Sequence, residues 1–450
     1  MSGSAESRNL LAALWDHDTT KVIALLVAIY AVYLGVGMAL GFEIRGQLNS
    51  IATLTFYIGV FGLLALALNL HWGYTGLFNI GIVGFMAIGI YTMAVVSKPA
   101  AETASQVGGF GAPLWVGMLA GTVVAALFGL VVALPALRLR ADYLAIVTIA
   151  FSEIVRFALL SRTFQEFQLA DRTIGLGGGS GLLLPFDPLQ SLLGVTRLGP
   201  VHEAIVAVFE PVIGGNADAV VNSLLYGVIL LAFVAIYYVT LQRLGHSPFG
   251  RVLKAIREDE DATKALGKST NVFKTKAFML GCALMGLGGV LWYMQSGAIT
   301  PNTFRPRLTF FVWIALIIGG AGSNTGSVMG GAIFAAVLFQ GPRYFQNLVG
   351  SLVEIDAPSG FGGAMAPIFE SLDIVPFLFY VVDSVRQLQP VFMGLVLIWL
   401  MHNRPNGMLG HRKDEAASIS LSRSPGQGDA AGATAADGGH PAESEGVSDE

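Results

Sequence analysis

Residues 113–137 read PLWVGMLAGTVVAALFGLVVALPAL, 25 positions without a charged side chain. A helix that is apolar on every face is buried in protein or lipid, and a bilayer core takes about 20 such residues. Working outward, comparable runs recur at 22–41, 48–70, 78–96, 143–160, 221–241 and 276–296, with shorter ones at 308–320, 326–342 and 388–401. They predict an all-α, polytopic integral membrane bundle of about ten spans with interrupted, glycine-rich helices, because helices close their own backbone hydrogen bonds where water is absent. The composition agrees. Of 450 residues 54% are apolar and 12% charged, against about 25% charged in soluble domains, and the mean hydropathy is +0.65.

Lys and Arg number 26 against 30 Asp and Glu, so no basic surplus exists to neutralise phosphates, which excludes a nucleic-acid binder. Residues 414–450 alone hold eight acidic residues and one basic one, Arg423. That stretch is rich in Ala, Gly and Ser and has too little apolar surface to fold, so 411–450 is expected to be a disordered acidic cytoplasmic tail. Residues 1–20 are polar, include Glu6, Asp16 and Asp18, and precede a span-length run. They read as a cytoplasmic segment before a retained first span, not as a cleaved signal.

Orientation follows from the basic residues of the short loops. Segment 242–276 carries Arg243, Arg251, Lys254, Arg257, Lys264, Lys268, Lys274 and Lys276, which makes it cytoplasmic. Arg138, Arg140, Arg404, Arg412 and Lys413 fall on the same side. The connection 161–220, with three basic and six acidic residues, falls outside. Ten spans then put both termini in the cytoplasm.

Few residues suggest chemistry. The seven histidines are scattered without metal-ligand spacing, so no catalytic residue, metal or cofactor is expected, and Cys282 in its apolar run reads as a small buried hydrophobe. The run Gly175–Gly181 lacks the Lys-Ser/Thr ending of a phosphate loop, falls on the outer side and reads as a flexible or tightly turned loop. Stretch 250–266 reads as one amphipathic helix, with Val252, Leu253, Ile256, Ala262, Ala265 and Leu266 towards one side and Arg257, Glu258, Asp259, Glu260, Asp261 and Lys264 towards the other. Gly267 is a natural stop. Two readings stand for it, a helix that docks on a soluble partner and a solvated linker.

Within the fifth run, Glu153 and Arg156 are three apart and can pair on one face; a charged residue in a span otherwise faces a cavity. Two glycine-rich interruptions, Gly73–Gly81 and Gly319–Gly326, lie between apolar runs in the two halves of the chain. Such breaks point to a solute site built from discontinuous helices or, alternatively, to close packing through small residues. Gly73, Gly76, Asn79, Gly81, Gly319, Gly320, Gly322 and Glu153 are the candidate path residues.

The stretches GYTGLFNIGIVGFMAIGIYT (73–92), LRLRADYLAIVTIAFSEIVR (137–156), GGGSGL (177–182), GRVLKAIREDEDATKALG (250–267), GGAGSNTGSVMGGA (319–332) and LQPVFMGLVLIWLMHNRPNGMLG (388–410) resemble the permease subunits of branched-chain amino acid ABC importers, most of all the longer-chain subunit of the pair. The resemblance covers roughly 48–410. It implies a membrane permease domain over 21–410 in a prokaryotic inner membrane, working with a second homologous permease, two cytoplasmic ABC ATPase subunits and an extracytoplasmic solute-binding protein. ATP hydrolysis then belongs to another chain, and this one is not an enzyme. It also implies that the loop matching 250–267, with Arg251, Ala255, Arg257, Glu258, Asp259, Ala262 and Gly267, is the coupling helix that sits in a cleft of the ATPase. The substrate expected is a branched-chain amino acid, with urea or a short amide as the alternative within similar importers. Outside that class stand a self-sufficient secondary transporter or channel with Glu153 as its ion site, and a membrane enzyme, against which the lack of a clustered His, Cys or carboxylate set argues. The sequence departs from the family pattern between Pro185 and Asn222, around 350–375, and in the tail.

Overall fold

Hydrocarbon offers no partner to a peptide group, and the chain answers with helices joined mostly by short turns. The computed structural model describes residues 18–100, 107–137, 141–169, 172–191, 199–215, 217–352, 358–404 and 406–409. The first helices are α1 (Asp18–Ala39), α2 (Ile44–Asn69), α3 (Ile82–Ser97), α4 (Leu114–Ala136) and α5 (Ala141–Leu160). After an irregular connection come α6 (Gly199–Ile213), α7 (Ala217–His246), α8 (Pro248–Glu258), α9 (Glu260–Ala265) and α10 (Thr270–Tyr293). The last set is α11 (Pro306–Gly319), α12 (Asn324–Ile333), α13 (Gly341–Leu352), α14 (Phe361–Ser371), α15 (Val375–Asp383) and α16 (Val385–Asn403).

The all-α membrane bundle expected from the apolar runs is what the chain forms, and its seven longer runs coincide with α1–α5, α7 and α10. The count of spans differs. Among the described residues six helices are long and apolar enough to cross a bilayer, and two bent pairs raise the number to eight, against about ten expected. Three features account for the difference. The run 78–96 begins its helix only at Ile82 and keeps 16 residues. The runs 308–320 and 326–342 lie on two arms bent by 119° at one break. The run 388–401 lies in α16, bent by 89° from α15.

Helix α2 is the axis of the core. Every residue from Ile58 to Asn69 is buried, which explains why the segment is apolar without a polar stripe. Helices α7, α10, α11 and α12 pack around it. Tyrosine hydroxyls tie the surrounding helices to one another by donating to helix carbonyls: Tyr33 of α1 to Ala336 O at 2.6 Å, and Tyr226 and Tyr237 of α7 to Leu291 O at 2.5 Å and Leu284 O at 2.9 Å of α10. Lipid-facing packing gains nothing from excluding water, so close approach must bind the helices. In the α3–α4–α10 group Gly89, Gly121 and Gly286 supply it. A Cβ on Gly89 would stand 2.7 Å from the Gly286 carbonyl carbon, and one on Gly121 would stand 3.1 Å from that of Gly89. The outward faces of α4 and α5 stay apolar, with Leu127, Val131, Ile146 and Ile154 exposed.

At the ends of α5 and α10 farther from α8, two short sheets close the bundle. Strands β1 (Phe167–Leu169) and β2 (Arg172–Ile174) form an antiparallel hairpin, and β3 (Leu182–Leu183) pairs with β4 (Ala298–Ile299). The turn between them bends at Gly177 (φ 71°) and Gly181 (φ 79°), so the Gly175–Gly181 run is the tight turn expected. Helices α6 and α13–α15 were not foreseen; they occupy the long connections. Cys282 is buried, as expected. Residues 1–17, Arg138, Arg140, Arg412, Lys413 and the tail 411–450 lie outside the described residues.

Overpacking a tight helix interface costs typically 1–3 kcal/mol. Gly89→Val is therefore expected to lower the thermal unfolding midpoint of the detergent-solubilised chain. Gly35→Val, where an added Cβ would meet nothing within 4 Å, is expected to leave that midpoint unchanged.

Candidate functional site

The first break begins where α2 gives way to a π-helical turn, Leu70–Tyr74. Such turns recur at functional positions because one extra residue loosens the ladder. Gly76–Gly81 then runs without helix, turning at Gly76 with φ 73°. Its exposed backbone is held by side chains. Asn79 Oδ1 accepts from Gly81 N at 2.8 Å, and the Asn79 carbonyl accepts from Trp313 Nε1 at 3.1 Å. Thr148 Oγ1 of α5 accepts from Ile80 N at 3.0 Å. His71, fully buried, donates from Nε2 to Phe278 O at 3.0 Å and lies stacked on the Phe278 ring. Its Nδ1 stands 3.1 Å from Asn79 Nδ2. An amide NH2 can only donate, so Nδ1 is the acceptor and the imidazole carries its proton on Nε2.

The second break turns at Gly320 (φ 100°) and Gly322 (φ 93°) before Ser323 caps α12 by accepting from Gly326 N at 3.0 Å. The two breaks meet. Asn69 Oδ1 accepts from Gly322 N at 2.8 Å while its Nδ2 donates to Asn324 Oδ1 at 3.0 Å. Asn324 donates in turn to Gln242 Oε1 on α7 at 3.1 Å. A Cβ on Gly73 would land 2.8 Å from Asn69 Cγ and against the Gly322 amide, so only glycine fits there. Of the expected path residues, the structure thus brings Gly73 beside Gly322 and ties Asn79 to Gly81. Gly319 approaches Gly326 and Gly330 across its own hairpin. Glu153 is held elsewhere: Arg156 bonds it from Nη2 at 2.5 Å and Nε at 3.0 Å, and reaches Asn302 at 3.4 Å.

The charged segment is two helices where one was expected. Ser247 caps α8, accepting from Gly250 N at 3.2 Å. At Asp259 the backbone extends (φ −154°, ψ 107°), and the Asp259 carboxylate caps α9 by accepting from Asp261 N and Ala262 N, both at 2.9 Å. Asp is a strong N-cap, and the acidic Glu260 and Asp261 suit a helix start; together they divide the segment. The faces differ accordingly. Leu253 and Ile256 are buried, as the apolar side predicts, whereas Ala262 and Ala265 are exposed and Leu266 is 79% exposed; in α9 the buried residue is Thr263. Gly267 ends α9 with φ 77°, as expected.

Arg257, read as part of the solvated charged face, turns inward. Its Nη1 donates to the carbonyl oxygen of Gly73, its Nη2 lies 2.5 Å from Glu258 Oε1, and its stem packs where a Cβ on Gly76 would meet Cγ at 3.2 Å. A Cβ on Gly322 would meet Nη1 at 3.2 Å. Lys254 adds a contact over the Tyr74 ring. One guanidinium therefore touches both breaks. A second brace links α9 to the bundle: Lys274 Nζ lies 2.8 Å from Glu260 Oε1 and donates to Leu137 O at 3.3 Å. Partial burial pushes the Glu260 carboxyl up, but the Lys274 ammonium, the Thr270 hydroxyl and Lys264 outweigh it and hold the carboxyl below its usual range.

Beside the breaks lies a cavity of about 440 Å³ lined by Trp72, Phe78, Ile80, Trp313, Ala321 and Met401 among others. Its rings interlock edge to face, Phe78 on Trp313 at 4.8 Å and Trp72 on Trp313 at 5.5 Å. Sequence reasoning passed over Trp72, Trp313 and His71. His71 carried a signal, a polar ring eight residues before Asn79 inside an interrupted span.

Broken, glycine-contacting helices that meet under a charged cap at one end of a helical membrane bundle are the parts of a transport subunit. The family described as branched-chain amino acid transport system / permease component matches residues 50–401, and the chain belongs to that family. It is 32% identical over 309 residues to the high-affinity branched-chain amino acid transport system permease protein LivM of Escherichia coli K12, covering 69% of this chain and 66% of that one. Similarity to the LivM of Salmonella typhimurium is 31% over 323 residues, covering 72% and 68%. The probable branched-chain amino acid transport permease protein LivM of Methanocaldococcus jannaschii is 28% identical over 312 residues, covering 63% and 79%. The chain thus spans about two thirds of the length of the two enterobacterial relatives. No solved structure matches it.

Two measurements check this geometry. Asn69→Leu leaves the Gly322 amide and the Asn324 side chain without their buried partner, a loss of about 1–3 kcal/mol per group. A lower unfolding midpoint is expected, and no change for Glu43→Gln at the exposed start of α2. The Glu260 brace contributes stability above the ordinary glutamate range and loses it as pH falls through the lowered value. The midpoint difference between wild type and Glu260→Gln should therefore be full at pH 7 and shrink in acid.

Proposed function

We propose that this chain is the membrane-spanning subunit of an ATP-driven importer that moves branched-chain amino acids delivered by an extracytoplasmic binding protein. It works with a second homologous permease and two cytoplasmic ATPase subunits. The observation that carries the reading is Arg257: a residue of the α8–α9 segment bonds the Gly73 carbonyl and lies against Gly322, so displacement of the segment is transmitted to both breaks at once. The exposed Ala265 and Leu266, with Ala262 one turn before them, form the surface offered to the ATPase, with Arg251, Ala255, Glu258, Asp259 and Gly267 around it. Because ATP chemistry resides in another chain, this one contributes only the mechanical link.

The path in this proposal runs past Gly73, Gly76, Asn79, Gly81, Gly319, Gly320 and Gly322, and Glu153 enters only as one end of its pair with Arg156. The aromatic and aliphatic lining of the neighbouring cavity suits the side chain of leucine, isoleucine or valine better than urea, which needs side-chain donors and acceptors. The basic residues of 242–276 support a cytoplasmic position for α8 and α9. Counting α3 and both arms of the second break as crossings restores ten, with both termini on that side of a prokaryotic inner membrane. The bonds from Met408 N to Ile318 O and from Leu409 N to Gly319 O, each 3.0 Å, support it by tying the end of α16 to the break under Arg257.

Ala262→Pro, which removes the amide that donates to the Asp259 cap of α9 at a cost of about 0.5–2 kcal/mol of cap stability, is expected to abolish ATP-dependent leucine uptake into vesicles holding the whole assembly at unchanged membrane abundance. Full uptake would overturn the coupling assignment. Saturable urea uptake without leucine uptake would overturn the substrate.

A further inference from the structure

The transport reading makes no use of α6, which lies in the connection where the chain departs from its family's pattern. Its sides are unlike one another. Towards the bundle, His202 and Ile213 are buried and Phe209 is partly so; His202 Nε2 lies 2.6 Å from Asn222 Oδ1 and 3.7 Å from Asp218, and Phe209 packs on a small cluster with Leu48 and Val220. One flank carries Glu203 and Glu210, both exposed. The other carries Val201, Ile205, Val208 and Val212, with Val208 71% exposed. At 3.6 residues per turn Val208 sits about 150° around the helix from the two carboxylates. The outward edge between the flanks is small and apolar, Pro200, Ala204, Ala207 and Pro211.

A helix of 15 residues reaches only about 22 Å, short of the roughly 30 Å core, and two carboxylates make a crossing costly. The chain nevertheless leads from α6 straight into a membrane span. After a turn at Gly214 (φ 78°) the chain enters α7, whose Val228 and Ile236 are exposed along a 30-residue span. The far end of α7 is His246, next to α8, so α6 lies at the end of the bundle opposite the coupling segment. A helix too short to cross, held against the first turns of α7 and carrying one apolar and one acidic flank, has the make-up of an element lying in the membrane interface.

We propose that α6 is an interfacial helix. Its Val201–Ile205–Val208–Val212 stripe is immersed in the acyl chains of the leaflet opposite the coupling segment, while Glu203 and Glu210 face water. Both charged groups are acidic, so immersion rests on apolar area and not on attraction to anionic headgroups. Held at that depth, α6 fixes the height at which α7 enters the bilayer through the His202–Asn222 contact.

The test places a nitroxide at Val208→Cys, Val212→Cys, Glu203→Cys and Glu210→Cys, one at a time, in the full chain in phosphatidylethanolamine–phosphatidylglycerol nanodiscs. Wild type, whose single cysteine Cys282 is fully buried, gives the background. Molecular oxygen concentrates among acyl chains and a nickel chelate stays in water. Positions 208 and 212 should collide several-fold more with oxygen than with nickel, and positions 203 and 210 the reverse. Nickel access at 208 and 212 equal to that at 203 would overturn the proposal, because the stripe would then face water and suit a soluble partner. Exclusion of both reagents from 208 and 212 alone would overturn it in favour of a protein cover. Two positions on each flank keep the result interpretable if one variant fails to fold.

Discussion

One amide side chain sets the geometry of the centre. Asn69 ends the buried helix α2, and its two polar atoms are spent on the other half of the chain, Oδ1 on the Gly322 amide and Nδ2 on Asn324. Breaking a helix inside a membrane frees backbone groups that hydrocarbon cannot satisfy. The bundle meets that demand by bringing two breaks together, so that each lies within reach of polar groups from the other half. Glycine at 73 follows, because any side chain there would occupy the space of the Asn69 amide.

From that junction the coupling segment acquires its lever. Arg257 bonds Gly73 and adjoins Gly322, while Glu260 and Lys274 fasten α9 to α10 and, through Leu137, to α4. Between these two attachments the chain extends at Asp259. Each short helix keeps its own cap, Ser247 for α8 and Asp259 for α9, so the angle between them can change without unwinding either.

The bundle was legible because apolar runs and span length are one-dimensional properties. The breaks were legible because their glycines stand among Asn, Ser and Thr between apolar runs, whereas Gly286, Gly288 and Gly289 sit in apolar surroundings inside the regular helix α10. The number of crossings was less so, since α3 and the arms of the second break are short where they stop at turns. The inward course of Arg257 was hidden, because helical periodicity groups it with its charged neighbours and says nothing of a carbonyl 184 positions away in the chain. The division of the segment was written in the sequence, an Asp followed by two more acidic residues, but inside a pattern that also continues as one amphipathic helix. Helix α6 escaped notice because its polar residues lie on a flank, not opposite its packed side.

The hydrogen-bond roles around His71 reach beyond packing. Its Nε2 proton is committed to the Phe278 carbonyl and its Nδ1 lone pair to the Asn79 amide, so both ring nitrogens are spent inside the protein and the ring is fixed in one tautomer and one orientation. The imidazole at the heart of the first break therefore works as a neutral strut between α10 and the Asn79 turn, and a proton added to Nδ1 would cost it the Asn79 bond.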